Sequence, residues 1–206
     1  EHGDSMGNRG DITAGDVQWM TAGSGIVHQE MPKGDAQGRM GGFQLWANLP
    51  ASHKMMDPRY RDVKRSEIPE VSMQDGAKVK IVCGRVNGVQ GPVRDIVTDP
   101  EYLDVAVPKG ARFTHPVKRG HTVFAYVVEG SACFDPGRDP CARETLVHYG
   151  EGDAVSITAE KEPVRFLLVS GKPIGEPVAW YGPIVMNTPE EIRIAFDEYR
   201  NGTFIK

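Results

Sequence analysis

The sequence lacks any long apolar run. Its longest, Val123 to Val128 and Phe166 to Val169, fall far short of the ~20 residues a membrane-spanning helix requires, which predicts a soluble chain with no membrane partner. It also lacks any block of like charge longer than Lys64-Arg65 or Glu190-Glu191, and 24 basic residues against 28 acidic ones leave a net charge of −4. A dedicated electrostatic surface for sequence-specific nucleic acid binding is therefore not expected. Cysteine is scarce: Cys83, Cys133 and Cys141 form no C-x-x-C pair and read as reduced thiols. That points to a reducing compartment, the cytoplasm, and the nucleus as well in a eukaryote. The first residue is Glu1, with neither an initiator Met nor a basic-then-apolar signal segment before the first motifs.

What is present is enough to build a core. The 206 residues are 39% hydrophobic and 25% charged, a globular balance in a length that suits one or two domains. Twenty-four Gly and 15 Pro break the chain into short segments rich in Val, Ile, Phe and Tyr, the rhythm of many short strands. Leu103, Val105 and Val107 alternate with Asp104 and Ala106. Val164, Phe166 and Leu168 alternate with residues apolar enough to make theirs a central strand. Met6-Gly7-Asn8, Asn87-Gly88, Pro136-Gly137 and Glu151-Gly152-Asp153 mark turns. The fold class predicted is all-β, closed as barrels or a sandwich so that edges are covered.

One segment reads firmly as helix. Thr188 at the N-cap, Pro189 at the first position and Glu191 at the third form a capping box; Ile192, Ala195, Phe196 and Tyr199 then share a face, and Gly202 stops the run. A helix from Pro189 to about Arg200 is expected to bury those four side chains on a barrel, since it is too short to be stable alone. Pro50 to Glu70 reads as a polar linker with one helical turn near Met55 to Arg59.

The strongest internal signal is a repeat. Gly15-Asp16-Val17-Gln18-Trp19-Met20-Thr21-Ala22 and Gly152-Asp153-Ala154-Val155-Ser156-Ile157-Thr158-Ala159 share G-D-x-x-x-x-T-A at an offset of 137 residues. Each copy closes a turn and opens an apolar strand, which suggests a duplicated barrel. Beyond the first copy lie His28 and Glu30, two residues apart and therefore on one face of a strand. Pointed into a barrel, an imidazole and a carboxylate are costly to bury without a ligand. A divalent metal would bind them, and mixed N and O donors suit Fe, Mn, Ni, Cu or Zn. The offset sets Arg165 and Leu167 at the matching places of the second copy, which is expected to be metal-free. Two donors are fewer than a stable site needs, and a hydrogen-bonded histidine beside an exposed glutamate is the plain alternative.

Several segments together resemble the pirin family. They are Asp4-Ser5-Met6-Gly7-Asn8-Arg9-Gly10, the run from Gly15 to Pro32 that ends in His28-Gln29-Glu30-Met31-Pro32, Gln44-Leu45-Trp46-Ala47-Asn48-Leu49, Tyr102-Leu103-Asp104, Gly150-Glu151-Gly152-Asp153, and Gly182 to Ile192. The resemblance implies a bicupin: residues 1–70 an amino-terminal cupin with linker, 71–185 a carboxy-terminal cupin without metal, and 186–206 the final helix, which it places on the amino-terminal cupin. It implies one iron(II)-type metal held by three histidines and a glutamate, with His28 and Glu30 as two of the four ligands. The other two belong to an H-P-H-R-G motif that these residues do not contain. The expectation is that the visible chain begins inside the first barrel and holds metal weakly or not at all. The second copy keeps a related stretch, His115-Pro116-Val117-Lys118-Arg119-Gly120-His121.

The resemblance also implies two functions that the same ligands would serve. One is an iron-dependent quercetin (flavonol) 2,3-dioxygenase acting on a small aromatic substrate, with Glu30 as ligand and catalytic base. The other is a metal- or redox-responsive regulator that binds a transcription factor or a metabolic enzyme. A sugar-binding or isomerase cupin has only fold analogy behind it. Met20, Gln44 and Trp46 are candidate pocket residues, although Trp19 and Trp46 read more readily as core than as a substrate platform. His2, His53 and His148 read as surface histidines, His2 as frayed.

Overall fold

The computed structural model describes residues 1–206 and divides into two compact units, Glu1–Arg65 with Ile174–Lys206, and Ser66–Pro173. In chain order the strands of the first unit begin with β1 (His2–Asp4), β2 (Arg9–Gly10), β3 (Val17–Thr21) and β4 (His28–Glu30). Helix α1 (Ala51–Lys54) and β5 (Arg59–Val63) follow. The second unit contains β6 (Glu70–Ser72), β7 (Lys78–Cys83), β8 (Arg85–Val86), β9 (Val89–Gln90), β10 (Glu101–Val107), β11 (Arg112–Pro116), β12 (Thr122–Ala132), β13 (Cys141–Ala142), β14 (Leu146–His148), β15 (Ala154–Thr158) and β16 (Val164–Gly171). The chain then completes the first unit with β17 (Ala179–Tyr181), β18 (Ile184–Met186) and α2 (Pro189–Asn201). No helix is long and apolar enough to cross a membrane.

In the second unit a seven-stranded sheet runs β13-β12-β16-β10-β7-β6 with β14 added to β12, and β11 pairs with β15. All these ladders are antiparallel. β16 is central, as its apolar run predicts, and the alternation at Leu103, Val105 and Val107 buries those three side chains. They join Phe113, Ile157, Phe166 and Leu168 in one continuous core. Phe166 is its pivot, edge-on to Phe113 at 6.0 Å and to Phe134 at 5.3 Å. Asn87-Gly88 forms the two-residue turn between β8 and β9, both residues at positive φ, 48° and 81°, as a twisted hairpin requires.

β3 and β15 occupy Val17–Thr21 and Ala154–Thr158, so the 137-residue offset carries strand onto strand without error. It fails one element later. The connection from β15 to β16, residues 159–163, is one residue shorter than that from β3 to β4, residues 22–27. A slip of one flips every side chain. Val164, Phe166 and Leu168 therefore face the core, while Arg165 lies on the opposite face with Leu167 and grips Asp104 through two bonds of 2.9 and 2.8 Å. The structure corrects the expectation on this point: the residues matching His28 and Glu30 are Val164 and Phe166.

The first unit is built of smaller sheets, β2-β1-β4, β3-β5 and β17-β18. The stretch expected as a linker contains β5, whose Tyr60 and Arg61 pair with Met20 and Trp19, and its helical turn comes earlier, at Ala51–Lys54. α2 has the expected capping box: the Thr188 hydroxyl accepts from the Glu191 amide at 3.2 Å and the Glu191 carboxylate accepts from the Thr188 amide at 2.8 Å. The helix ends at Gly202 in the left-handed region. Ile192 and Ala195 are buried and Phe196 packs edge-on against Tyr181 at 5.5 Å. Tyr199 departs from expectation. It is 57% exposed and meets only the edge of Phe204, because the β17-β18 hairpin covers the earlier turns of the helix.

Asp16 ties β3 to the end of β5. Burial alone would push its carboxyl up, but the amides of Arg65 and Thr13, the Thr13 hydroxyl and the Lys64 ammonium hold it down at about 2, below an ordinary 3.8. An unfolded chain binds this proton more readily than the folded one between those values. The stabilisation is therefore complete above the unfolded pKa and is lost as pH falls through the folded one. Thermal unfolding should show a fall in stability between about pH 4 and pH 2 that Asp16→Asn flattens. In the other unit, Phe166→Ala should cost about 3–5 kcal/mol in a denaturant titration. A loss below 1 kcal/mol would remove Phe166 from the centre of the core.

Candidate metal centre

β1 and β4 pair antiparallel with His2 opposite Glu30, Gly3 opposite Gln29, and Asp4 opposite His28. Directly opposed residues share a face of the ladder, and so do residues two apart. The side chains of His2, Asp4, His28 and Glu30 therefore project to one side. The ligand atoms of His2, His28 and Glu30 lie within 4.8 Å of one another, with the two imidazole rings edge-on at 5.9 Å.

Local sequence chemistry secures this register. The Asp4 Oδ1 accepts the amides of Met6 and Asn8, both at 2.9 Å, and its Oδ2 accepts the Asn8 side chain at 2.8 Å. This turns the chain from β1 into β2 through Gly7 at a φ of 88°. The Ser5 amide donates to the Val27 carbonyl at 2.7 Å and the Ser5 hydroxyl accepts from the Val27 amide at 3.1 Å. At the other end Glu1 and Met31 exchange two bonds, of 3.0 and 2.8 Å. The loop that delivers β4 requires its glycines. A Cβ on Gly23, at a φ of 53°, would stand 2.1 Å from the Met56 carbonyl oxygen, and one on Gly25 would stand 2.7 Å from the Phe204 ring.

The electrostatics are uneven. His2 is 5% exposed, and neither ring nitrogen has a hydrogen-bond partner. Asp4 Oδ2 comes closest to it, 3.7 Å from Nε2 and beyond hydrogen-bond range. Burial would raise the Asp4 carboxyl, but the hydrogen bonds from Asn8 and Met6 keep it below its ordinary range. A buried imidazole with two unmet nitrogens is an expensive arrangement without a ligand. The donor set fits a divalent metal: two imidazoles and one carboxylate lie within 4.8 Å of one another, with solvent on the side of His28 and Glu30.

Two expectations are corrected. His2 is not frayed but held within β1, buried beneath Tyr60, whose ring stacks on it at 5.1 Å and 11°. His28 and Glu30 do converge, yet both are exposed, so the centre is open and not sealed inside a barrel. Gln44 and Trp46 lie outside any strand, Trp46 59% exposed, whereas Met20 is half-buried on β3 directly opposite Tyr60. Trp19 is half-buried, and His53 and His148 are exposed. In the second unit, His115 is buried and bonds Glu101 at 2.7 Å, with no third donor joining them. The missed donor had a signal: His2-Gly3-Asp4 repeats the His-x-acid pattern of His28-Gln29-Glu30.

Comparison with known proteins shows the family. Residues 1–47 match the family described as Pirin, and residues 102–205 match the Pirin C-terminal cupin domain. A pirin-like protein of Caulobacter vibrioides is 43% identical over 98% of this chain and 72% of its own length. Pirin of Homo sapiens is 40% identical over 97% of this chain and 69% of its own. The crystal structure of quercetin 2,3-dioxygenase from Acinetobacter baumannii is 31% identical and superposes with a TM-score of 0.85, covering 98% of this chain and 71% of that one.

The expectation of weak or absent metal rests on two donors; with His2 as a third, anaerobic dialysis against iron(II) followed by metal analysis should find about one ion per chain, and His2→Ala and His28→Ala should each lower affinity by about tenfold or more. Unchanged binding in His2→Ala would remove that residue from the donor set.

Proposed function

Because the chain belongs to the pirin family and has its mostly β bicupin fold with a carboxy-terminal helix, we propose that the face formed by His2, His28 and Glu30 is the metal centre of a flavonol-opening oxygenase. The observation that carries this reading is the two-histidine, one-carboxylate donor set on an open side, an arrangement suited to non-haem iron(II) and dioxygen. Iron(II) is the metal we assign, ahead of manganese, nickel, copper and zinc. When bound it supplies Lewis acidity and access to dioxygen chemistry. His2, His28 and Glu30 would hold it, and the Glu30 carboxylate oxygen turned to solvent would accept the proton of the flavonol hydroxyl. Met20, beside Tyr60, gives the site an apolar wall, and Gln44 and Trp46 are the residues we assign to contact the outer part of the substrate. The metal-bearing cupin is then the first unit, residues 1–65 with 174–206, and the cupin without metal the second, residues 66–173, in place of a division at 70 and 185.

A regulatory reading has its own observation. All but two of the large apolar side chains left exposed, Val89 and Leu146, belong to the first unit, as a protein-binding face would require. The two readings separate in one assay. Iron-loaded chain mixed with quercetin should bleach its visible absorbance with matching oxygen uptake. Glu30→Gln, compared at equal metal content, should slow this by about a hundredfold. Stoichiometric iron with persistent quercetin absorbance would overturn the oxygenase and leave the binding role.

A further inference from the structure

We propose that the outer face of the second unit binds a short extended peptide with free ends, its amino group between Glu129 and Glu162 and its carboxylate on Lys78. The face owes its form to register. Lys78 on β7 lies opposite Ala106 on β10, Ala106 opposite Arg165 on β16, and Arg165 opposite Glu129 on β12. These four residues make one row across four adjacent strands. Because Val105, Val107, Val164 and Phe166 fill the core, the row points the other way. All four line a groove of about 500 Å³. Ala106, Pro108, Gly130 and Pro163 give it a low, apolar floor. Gly130, at a φ of 72°, closes one end: a Cβ there would stand 1.9 Å from the Pro163 carbonyl oxygen, so β12 and the turn before β16 meet without a side chain between them.

The charges along the groove are sorted by sign. In the middle, Arg165 is neutralised by Asp104, to which its Nε and Nη2 donate at 2.9 and 2.8 Å, so it offers spare N–H groups without adding net charge. At one end Lys78 is 62% exposed, and its ion pair with Glu70 is a loose one of 3.5 Å. At the other end stand two carboxylates. Glu129 is 68% exposed and 3.5 Å from Arg165 Nη1, and Glu162 accepts from the Ser131 hydroxyl at 2.5 Å. Three strand spacings separate Lys78 from Glu129, about 14 Å. An extended chain covers that distance in about four residues. A zwitterionic tetrapeptide therefore matches the groove both in length and in the charge it meets at each end. Pro108 and Pro163 have no amide hydrogen, so the floor takes small apolar side chains and forms no backbone ladder with the peptide. Nothing in this site depends on the metal centre.

Tetra-alanine serves as the probe, titrated into the whole ¹⁵N-labelled chain and followed by NMR. The amides of Ala106, Gly130 and Val164 should shift saturably, and added salt should weaken the binding. Acetylating the peptide's amino group or amidating its carboxylate should each weaken it by about two- to fivefold. Lys78→Met should weaken it by the same factor and make amidation of the peptide inconsequential, while acetylation keeps its effect. Ala106→Phe, which fills the floor, should abolish the shifts. If that variant fails to fold by circular dichroism, Lys78→Met and the blocked peptides still decide. Absence of saturable shifts at those three amides, or a peptide blocked at both ends binding as tightly as the free one, overturns the proposal. So does Lys78→Met binding as the unaltered chain does.

Discussion

The antiparallel register between His2–Asp4 and His28–Glu30 is the constraint on which the candidate centre depends. Because strand side chains alternate, a displacement by one residue would turn His28 and Glu30 away from His2 and expose Gln29 in their place. The two strands are only three residues each, too short to choose a register by their own side chains. The choice is made at their ends, by the Asp4 turn, the Ser5 to Val27 exchange, the Glu1 to Met31 exchange, and the two glycines that let the preceding loop pass close to Met56 and Phe204. Four contacts that touch no ion thus determine whether three donors can meet.

The second unit shows what the same plan becomes when the register shifts. β15 reproduces β3 residue for residue along the offset, but the following connection loses one residue and β16 presents Val164 and Phe166 where the first copy presents His28 and Glu30. Those places have joined a hydrophobic core, and the outward face carries Arg165 bound to Asp104. The shorter loop sets which residues of the strand face inward, and the residue types at those places supply the apolar face.

Much of this was legible in the sequence where the physics is local. The capping box of α2, the Asn87-Gly88 turn and the alternation at Leu103, Val105 and Val107 depend on neighbours a few residues away, and each stands where those residues require. The pairing of His28 with Glu30 on one face was legible for the same reason. What sequence could not supply was tertiary. His2 looks like a loose end until β2 and β4 flank it and Tyr60 covers it. β5 hides in a polar stretch because Arg59, Arg61 and Asp62 give it no apolar period. The register of β16 turned on counting a loop, which an offset measured from the preceding strand does not do.

The uneven distribution of apolar surface has a consequence for how the molecule breathes. The second unit holds the continuous core, whereas the first buries few large side chains beyond Val63 and Ile192. Local opening follows local burial, so amides around β1 and β4 belong to the weakly protected part of the chain. A ligand that binds only the closed form would hold that region shut, by about 2.7 kcal/mol at a hundredfold excess over its dissociation constant. The ion would then act as a structural clasp as well as a reagent, tying the two strands that carry its three donors into one cooperative body each time it arrives and releasing them when it leaves.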